Sequence, residues 1–237
     1  MSDGIYIAAA GAMAQSTALD ATANNIANAS TVGFHGDRVL FKEALGKARS
    51  VDTTLVDNGT QRVDSEPGAL TQTDNPLDCA LDGDGMFAVN TPQGQRYTRA
   101  GNFQLDDKRQ IVTSDGSPVR GQGGAAITVP EGANLLAVGA DGSVSADGVT
   151  IGKMELARFS SGQLKREGGT LYAATGKPLA GDPPKVRSGM LESSNVNVVR
   201  GVVDLVKVSR TYESLMKVIQ GYSDIDQRAA KDLGGPK

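Results

Sequence analysis

Two kinds of hydrophobic pattern divide this chain. At the start, Ile5, Ala9, Ala12, Ser16, Leu19, Ala23 and Ile26 fall at alternating steps of four and three. All but Ser16 are apolar, a heptad-like stripe that predicts one helix to about residue 33. Near the other end, Val198, Val202, Leu205, Ser209, Tyr212, Met216 and Ile219 repeat those steps and predict a second helix from about Asn195 to Asp232. Ser193, Ser194 and Asn195 are its N-cap candidates, and "LGGPK" supplies a glycine-proline stop. Val208, Leu215 and Tyr222 lie beside the second stripe and widen its apolar face.

Between the helices the period drops to two. Short alternating runs such as "MFAVN", "QRYTRA", "QIVTS", "AITVP" and "GKMELARF" are separated by the turn pairs Asp82-Gly83, Asp84-Gly85, Asp115-Gly116, Asp141-Gly142 and Asp147-Gly148. This predicts a compact antiparallel β domain, with "VGADGSVSADGV" as one of its hairpins. The predicted fold class is α+β: an antiparallel β-rich middle domain with N- and C-terminal α-helices packing as a coiled coil. The helical parts are 1–34 and 188–237, the β-rich domain is 76–187, and 35–75, with "DNGTQ" and "SEPG", reads as an extended linker. Each stripe needs a partner. The two helices can pair with each other or with copies from neighbouring subunits, and a wide apolar face left over by a two-helix hairpin favours assembly.

Composition narrows the function by exclusion. The chain has 237 residues, 30 of them glycine, no tryptophan and 4% aromatics, so its core rests on Val, Leu, Ile and Ala and its path on many tight turns. A net charge of −3 favours neither nucleic acid nor an anionic membrane as partner. The single cysteine, Cys79 in "LDCAL", forms no intramolecular disulfide and reads as a small buried hydrophobe. "IYIAAAGAMA" is too short to span a membrane and lacks the positive start of a signal peptide, the first basic residue being Arg38. His35, the one histidine, sits in a glycine-flanked loop and reads as a solvated or capping residue. "LDGDG" at 81–85 fails the calcium-loop pattern, "RGQGGA" at 120–125 lacks the Lys-Ser/Thr of a phosphate loop, and no nucleophile elbow is present. The expectation is a chain that is not an enzyme, with no catalytic residue, cofactor, metal or small-molecule substrate.

The two ends carry a resemblance. "NNIANASTVGF", Asn24 to Phe34, resembles the N-terminal signature of bacterial flagellar axial proteins, the rod, hook and hook-associated subunits, and fits "NN-(I/L)-AN-x-x-T-x-GF" at Asn24, Asn25, Ile26, Ala27, Asn28, Thr31, Gly33 and Phe34. "SGMLESSNVN", Ser188 to Asn197, resembles that family's "G-x-LE-x-SNV" lead into its C-terminal helix, and "RTYESLMKVI", Arg210 to Ile219, its "R-x-(Y/F)-E-x-x-x-K-x-I". In the middle, "NPLDCALDGDGMFAV", "YTRAGNFQLD" and "IVTSDGSPV" are similar to rod proteins. The stretch "VRGQGGAAITVPEGANLLAVGADGSVSA" resembles the proximal-rod type more than the distal-rod type, whereas "VSRTYES" lies between them.

The resemblance implies a structural subunit of the basal-body rod that polymerises helically into a drive shaft crossing the periplasm, between motor and hook. Its implied partners are other rod subunits and the flagellar type III export apparatus, with no nucleic acid. The expected assembly interface takes Ile5, Leu19, Ile26, Val198, Val202, Leu205, Tyr212, Met216 and Ile219 from the stripes, and Asn24, Asn25, Asn28, Thr31, Gly33 and Phe34 from the signature. Two alternatives stay open: a distal-rod or hook-type subunit, and a self-contained β module that binds a surface partner such as peptidoglycan with its helices folded onto itself.

Overall fold

A computed structural model describes residues 3–40, 43–46, 53–56, 60–133, 135–160 and 162–233. The turn expected around residues 57–59 and the stop at 234–236 lie outside the described residues. The chain divides into two compact units. One holds Met1–Ala27, Asp37–Gln61 and Asn197–Lys237, the other Asn28–Gly36 and Arg62–Val196.

In the first unit, helix α1 spans Asp3–Ala27 and helix α2 spans Val198–Leu233. At the usual rise they are about 37 and 54 Å long. Asn197 caps α2: its Oδ1 accepts from the Arg200 N–H at 3.0 Å, so the cap lies beyond the expected Ser193, Ser194 and Asn195. The helices run antiparallel, with Gly4 at Tyr222, Gly11 at Leu215 and Ile26 at Gly201. The approach is tight. A Cβ on Gly4 would fall 2.6 Å from the Tyr222 hydroxyl oxygen, and one on Gly201 would fall 2.9 Å from Ile26 Cγ1. Each missing side chain on one helix is filled by a large one from the other, which is how a close-packed seam is made from unequal residues.

That size matching turns both seams away from the expected stripes. On α2 the half-buried residues are Gly201, Leu205, Val208, Ser209, Tyr212, Leu215, Ile219 and Tyr222. Leu205, Tyr212 and Ile219 are therefore half-buried, whereas Val198, Val202 and Met216 remain exposed. On α1 the residues facing α2 lie about a quarter turn from the stripe. Ala8, Ala12, Ala14, Ala18 and Ala21 are buried, whereas Ile5, Leu19 and Ile26 are only half-buried and Ser16 and Ala23 are exposed. Hydrophobicity alone ranks isoleucine above glycine, yet the close approach of two backbones selects the smaller residue.

Short strands follow α1: β1 (Asp37–Leu40), β2 (Glu43–Gly46) and β3 (Thr53–Val56) in this unit, and β4 (Thr60–Val63), whose last two residues belong to the other. β2 and β3 pair antiparallel, β1 pairs with β4, and α1 lies against β1 and β3. The stretch expected to be an extended linker thus contributes strands to the helix unit.

The second unit is all β, and every described strand pair in it is antiparallel. β5 (Leu70–Gln72) pairs with β18 (Met190–Glu192), and β6 (Cys79–Asp82) with β17 (Lys185–Ser188). A five-stranded sheet has the order β14-β7-β8-β16-β15, from Leu156–Ala157, Met86–Thr91, Gly94–Thr98, Leu171–Ala174 and Leu164–Arg166. The expected hairpin at 138–149 is part of a meander of β11 (Leu136–Val138), β12 (Ser143–Ala146) and β13 (Val149–Lys153). β9 (Gln104–Leu105) and β10 (Ile111–Val112) form a further pair. The main core gathers Phe87, Phe103, Ile111, Val119, Val144 and Met154, with the two phenyl rings edge to face at 5.0 Å. Cys79 is wholly buried beside them, and burial together with nearby Asp78 pushes its thiol up to about 12.

Replacing Gly201 with leucine should force α2 away from Ile26. Overpacking of this kind costs about 1–3 kcal/mol. Urea unfolding followed by far-ultraviolet circular dichroism should show the loss, and an unchanged curve would mean that the seam gives way freely.

Candidate assembly site

The two family-like signatures divide their work between the units. At the end of α1, the Asn25 side chain acts as a piece of strand. Its Nδ2 donates to the Asp37 carbonyl and its Oδ1 accepts from the Asp37 N–H, both at 2.8 Å. This fixes the start of β1 against the helix. Asn24, which is exposed, lies one residue earlier.

Asn28 then opens a turn in the β unit: Thr31 N–H donates to the Asn28 carbonyl at 3.0 Å and Thr31 Oγ1 to Asn28 Oδ1 at 3.2 Å. The turn ends at Gly33, whose φ of 64° lies in the left-handed region and where a Cβ would collide with the Ala100 amide nitrogen. Gly33 N–H donates to the Glu192 carbonyl at 2.7 Å, and Asn195 N–H donates to the Phe34 carbonyl at 3.3 Å. The N-terminal signature is thereby stitched to the C-terminal one.

Phe34, expected to anchor against a neighbour, is wholly buried in its own unit. The Arg166 guanidinium sits over its ring, 4.4 Å from the centroid, and 5.0 Å from that of Tyr172. Gly33 is buried there as well. Both residues shape the subunit from within, and their surfaces are already covered.

His35 corrects the sequence reading outright: it is 3% exposed, and it is neither solvated nor a helix cap. Its Nε2 lies 2.8 Å from Glu192 Oε1. The same oxygen accepts from the Gly68 N–H at 3.0 Å, and Arg99 Nε donates to Glu192 Oε2 at 2.5 Å. Arg99 also donates to the carbonyls of Gly85 (2.7 Å) and Leu81 (2.9 Å). Arg166 donates to the His35 carbonyl. Glu192 is 1% exposed. Burial pushes its carboxyl up, but the His35 hydrogen bond, the Arg99 charge and the Gly68 N–H outweigh burial and hold it below its ordinary value of 4.5. The carboxylate is therefore ionised at neutral pH, and His35 Nε2 carries the proton that it donates.

None of this is a reaction centre. The ionisable groups pair with one another, and a cleft beside them is lined by apolar side chains as well as by His35 and Arg99. The sequence reading missed the network because its members lie far apart in the chain. A signal was present all the same: "GFHG", "YTRAGNF" and "MLESSNV" each place an ionisable residue among apolar and small ones.

The helices carry exposed apolar residues. Val199, Val202, Val203 and Val206 fall at i, i+3, i+4 and i+7 on α2 and are exposed, Val203 at 62%. This second apolar stripe lies away from the seam with α1. Tyr6 and Met13 are exposed on α1.

Comparison with known proteins accounts for this arrangement of parts. Residues 5–35 match the family described as "Flagella basal body rod protein", residues 80–146 "Flagellar hook protein FlgE/F/G D1 domain", and residues 187–232 "Flagellar basal body rod FlgEFG protein C-terminal". The chain is 34% identical to the flagellar basal-body rod protein FlgF of Rhizobium meliloti over the whole of both chains. The chain belongs to the flagellar basal-body rod protein family. As a rod-family protein it is also 36% identical to FlgF of Escherichia coli over 97% of each chain. With FlgG of Bacillus subtilis it shares 34% identity over 89% of its own length and 91% of the relative's.

In this rod-family protein the Glu192 network sets a pH dependence. Its folded-state carboxyl lies below the unfolded value, so its contribution is complete above about pH 4.5 and is lost as pH falls through the folded value. Glu192→Gln leaves Arg99 buried without its counter-charge and should cost about 3–5 kcal/mol at pH 7. Chemical unfolding from pH 7 to 3 should show the gap to the parent chain narrowing below pH 4.5. A gap independent of pH would contradict the assignment.

Proposed function

We propose that the chain is a structural subunit of the proximal rod of the flagellar basal body. It leaves the cytoplasm through the flagellar type III export apparatus and polymerises helically with itself and with neighbouring rod subunits across the periplasm. The helices pack as coiled coils in the inner tube of the shaft. Function is mechanical: many interfaces repeated along a non-closing helix transmit torque from motor to hook.

The observation that carries this reading is the second apolar stripe on α2. A helix whose only task is to cover its own chain needs one apolar face. Here Leu205, Val208, Tyr212, Leu215 and Ile219 serve the seam with α1, and Val199, Val202, Val203 and Val206 remain in solvent on another face. Helix-borne interface residues are then Val202 with its valine neighbours, together with Val198 and Met216 at the margin. Leu205, Tyr212, Ile219 and Ile26 support the interface from within the pair. Relatives named FlgF match over 97–100% of the chain, which fits the proximal position, and one named FlgG matches over 89%.

Val203→Asp places a charge on the exposed stripe. The free chain should keep its stability to within about 0.5 kcal/mol, as surface substitutions do. In an assembled rod the same carboxylate would be buried without a partner, so rods and motility should be lost. A motility assay beside a melting curve checks both halves, and motile cells carrying the variant would remove the stripe from the interface.

A further inference from the structure

The Asp-Gly pairs that mark the turns of the β unit carry a chemistry of their own. The glycine has no Cβ to shield its amide nitrogen, so that nitrogen can attack the carboxyl carbon of the aspartate before it. The attack needs two freedoms. The carboxyl must be able to take up a proton, because its hydroxyl leaves as water. The glycine N–H must not be held by another acceptor.

The pairs of this unit at Asp82, Asp84, Asp115, Asp141 and Asp147 differ in both respects. Asp115 and Asp141 are held at both places. Asp115 accepts from Thr113 Oγ1 and, at 3.0 Å, from Ser117 Oγ, while Gly116 N–H donates to the Thr113 carbonyl at 2.9 Å. Asp141 accepts from Ser143 Oγ at 2.6 Å and from Lys153 Nζ at 2.9 Å, while Gly142 N–H donates to the Gly139 carbonyl at 2.9 Å. Asp82 and Asp147 are held at the carboxylate, Asp82 by Arg187 Nη2 at 2.6 Å and Asp147 by the Leu135 N–H at 2.9 Å. The Ser143 and Lys153 bonds hold the Asp141 carboxyl well below the usual carboxylate range, and Arg187 lowers that of Asp82, so both resist protonation. Asp84 is exposed. Among the described residues, neither its carboxylate nor the Gly85 N–H has a hydrogen-bond partner.

We infer that Asp84-Gly85 is the site at which the β unit isomerises spontaneously to isoaspartate, and that the change reaches the buried Glu192 network. Gly85 N bonds to Asp84 Cγ and gives up its proton, and the carboxyl hydroxyl departs with that proton as water. A five-membered succinimide is left. Water then opens the ring. Hydrolysis that breaks the original Asp84–Gly85 peptide bond leaves the chain running through Cγ, with a free α-carboxylate and no net change in mass. The main chain is longer there by one methylene, about 1.5 Å. Gly85 has no room to absorb it. Its carbonyl accepts from Arg99 Nη1 at 2.7 Å, and a Cβ on it would fall 2.4 Å from Pro184 Cγ. Arg99 carries the counter-charge of Glu192, so a lengthened turn pulls on that pair. The inference does not depend on the reading of the chain as a rod subunit.

The test incubates the full purified chain at neutral pH for several weeks. The chain is then digested and isoaspartate is mapped residue by residue with electron-transfer fragmentation, which keeps the site apart from Asp3-Gly4 and Asn58-Gly59 elsewhere in the sequence. The expected result is isoaspartate at Asp84 several-fold above the level at each other pair of the β unit. Asp84→Glu, which would have to close a six-membered ring, should show none at that position. The fraction isomerised at Asp84, separated by ion exchange, should unfold at lower urea than unmodified chain from the same incubation. An equal or higher level at Asp82, Asp115, Asp141 or Asp147 would overturn the assignment, as would none at Asp84. An isomerised fraction that unfolds with the unmodified chain would overturn the link to Arg99 and Glu192.

Discussion

One buried carboxylate ties together remote segments of the β unit. Glu192 satisfies His35 and the Gly68 N–H with one oxygen and Arg99 with the other, while its backbone carbonyl takes the Gly33 N–H. A carboxylate this deeply buried is tolerable only when such partners surround it. The partners come from residues 33–35, 68 and 99, so the site forms only when segments remote in sequence are folded together. Residues 33–36 and 189–195, the two segments that lead toward α1 and α2, run side by side as a consequence.

The helix pair obeys a different constraint, that of volume. Gly4, Gly11 and the buried alanines of α1 leave a shallow surface into which Tyr222, Leu215 and their neighbours fit, and Gly201 returns the favour for Ile26. Because α1 contributes so little bulk, a narrow strip of α2 completes the seam. The valines at 199, 202, 203 and 206 are then free to act elsewhere. A larger residue on α1 would demand more of α2 and leave less of it for neighbours.

Much of this was legible in the sequence. Period-four-and-three spacing found both helices, and Asp-Gly pairs marked the turns of an antiparallel middle. The motifs at each end named the family on residues that the structure places in contact. Rotation of the helices was not legible, because a stripe counted by hydrophobicity overlooks glycine, and glycine decides how closely two helices approach. The burial of His35 was hidden for a related reason: a glycine-flanked histidine looks like a loop residue until Glu192, 157 positions away, is brought beside it. Phe34 was read as a contact for others when Arg166 and Tyr172 already enclose it.

The central claim is that α1 and α2 of one chain are each other's partners and meet neighbouring subunits with their outer faces. Paired cysteines at Gly11 and Leu215, which face each other across the seam, test it in assembled rods. After mild oxidation and denaturing electrophoresis without reductant, the account predicts a disulfide within each chain, so the protein runs as a monomer. A ladder of covalently joined subunits from the same pair would show that the helices exchange partners between chains, and would contradict it.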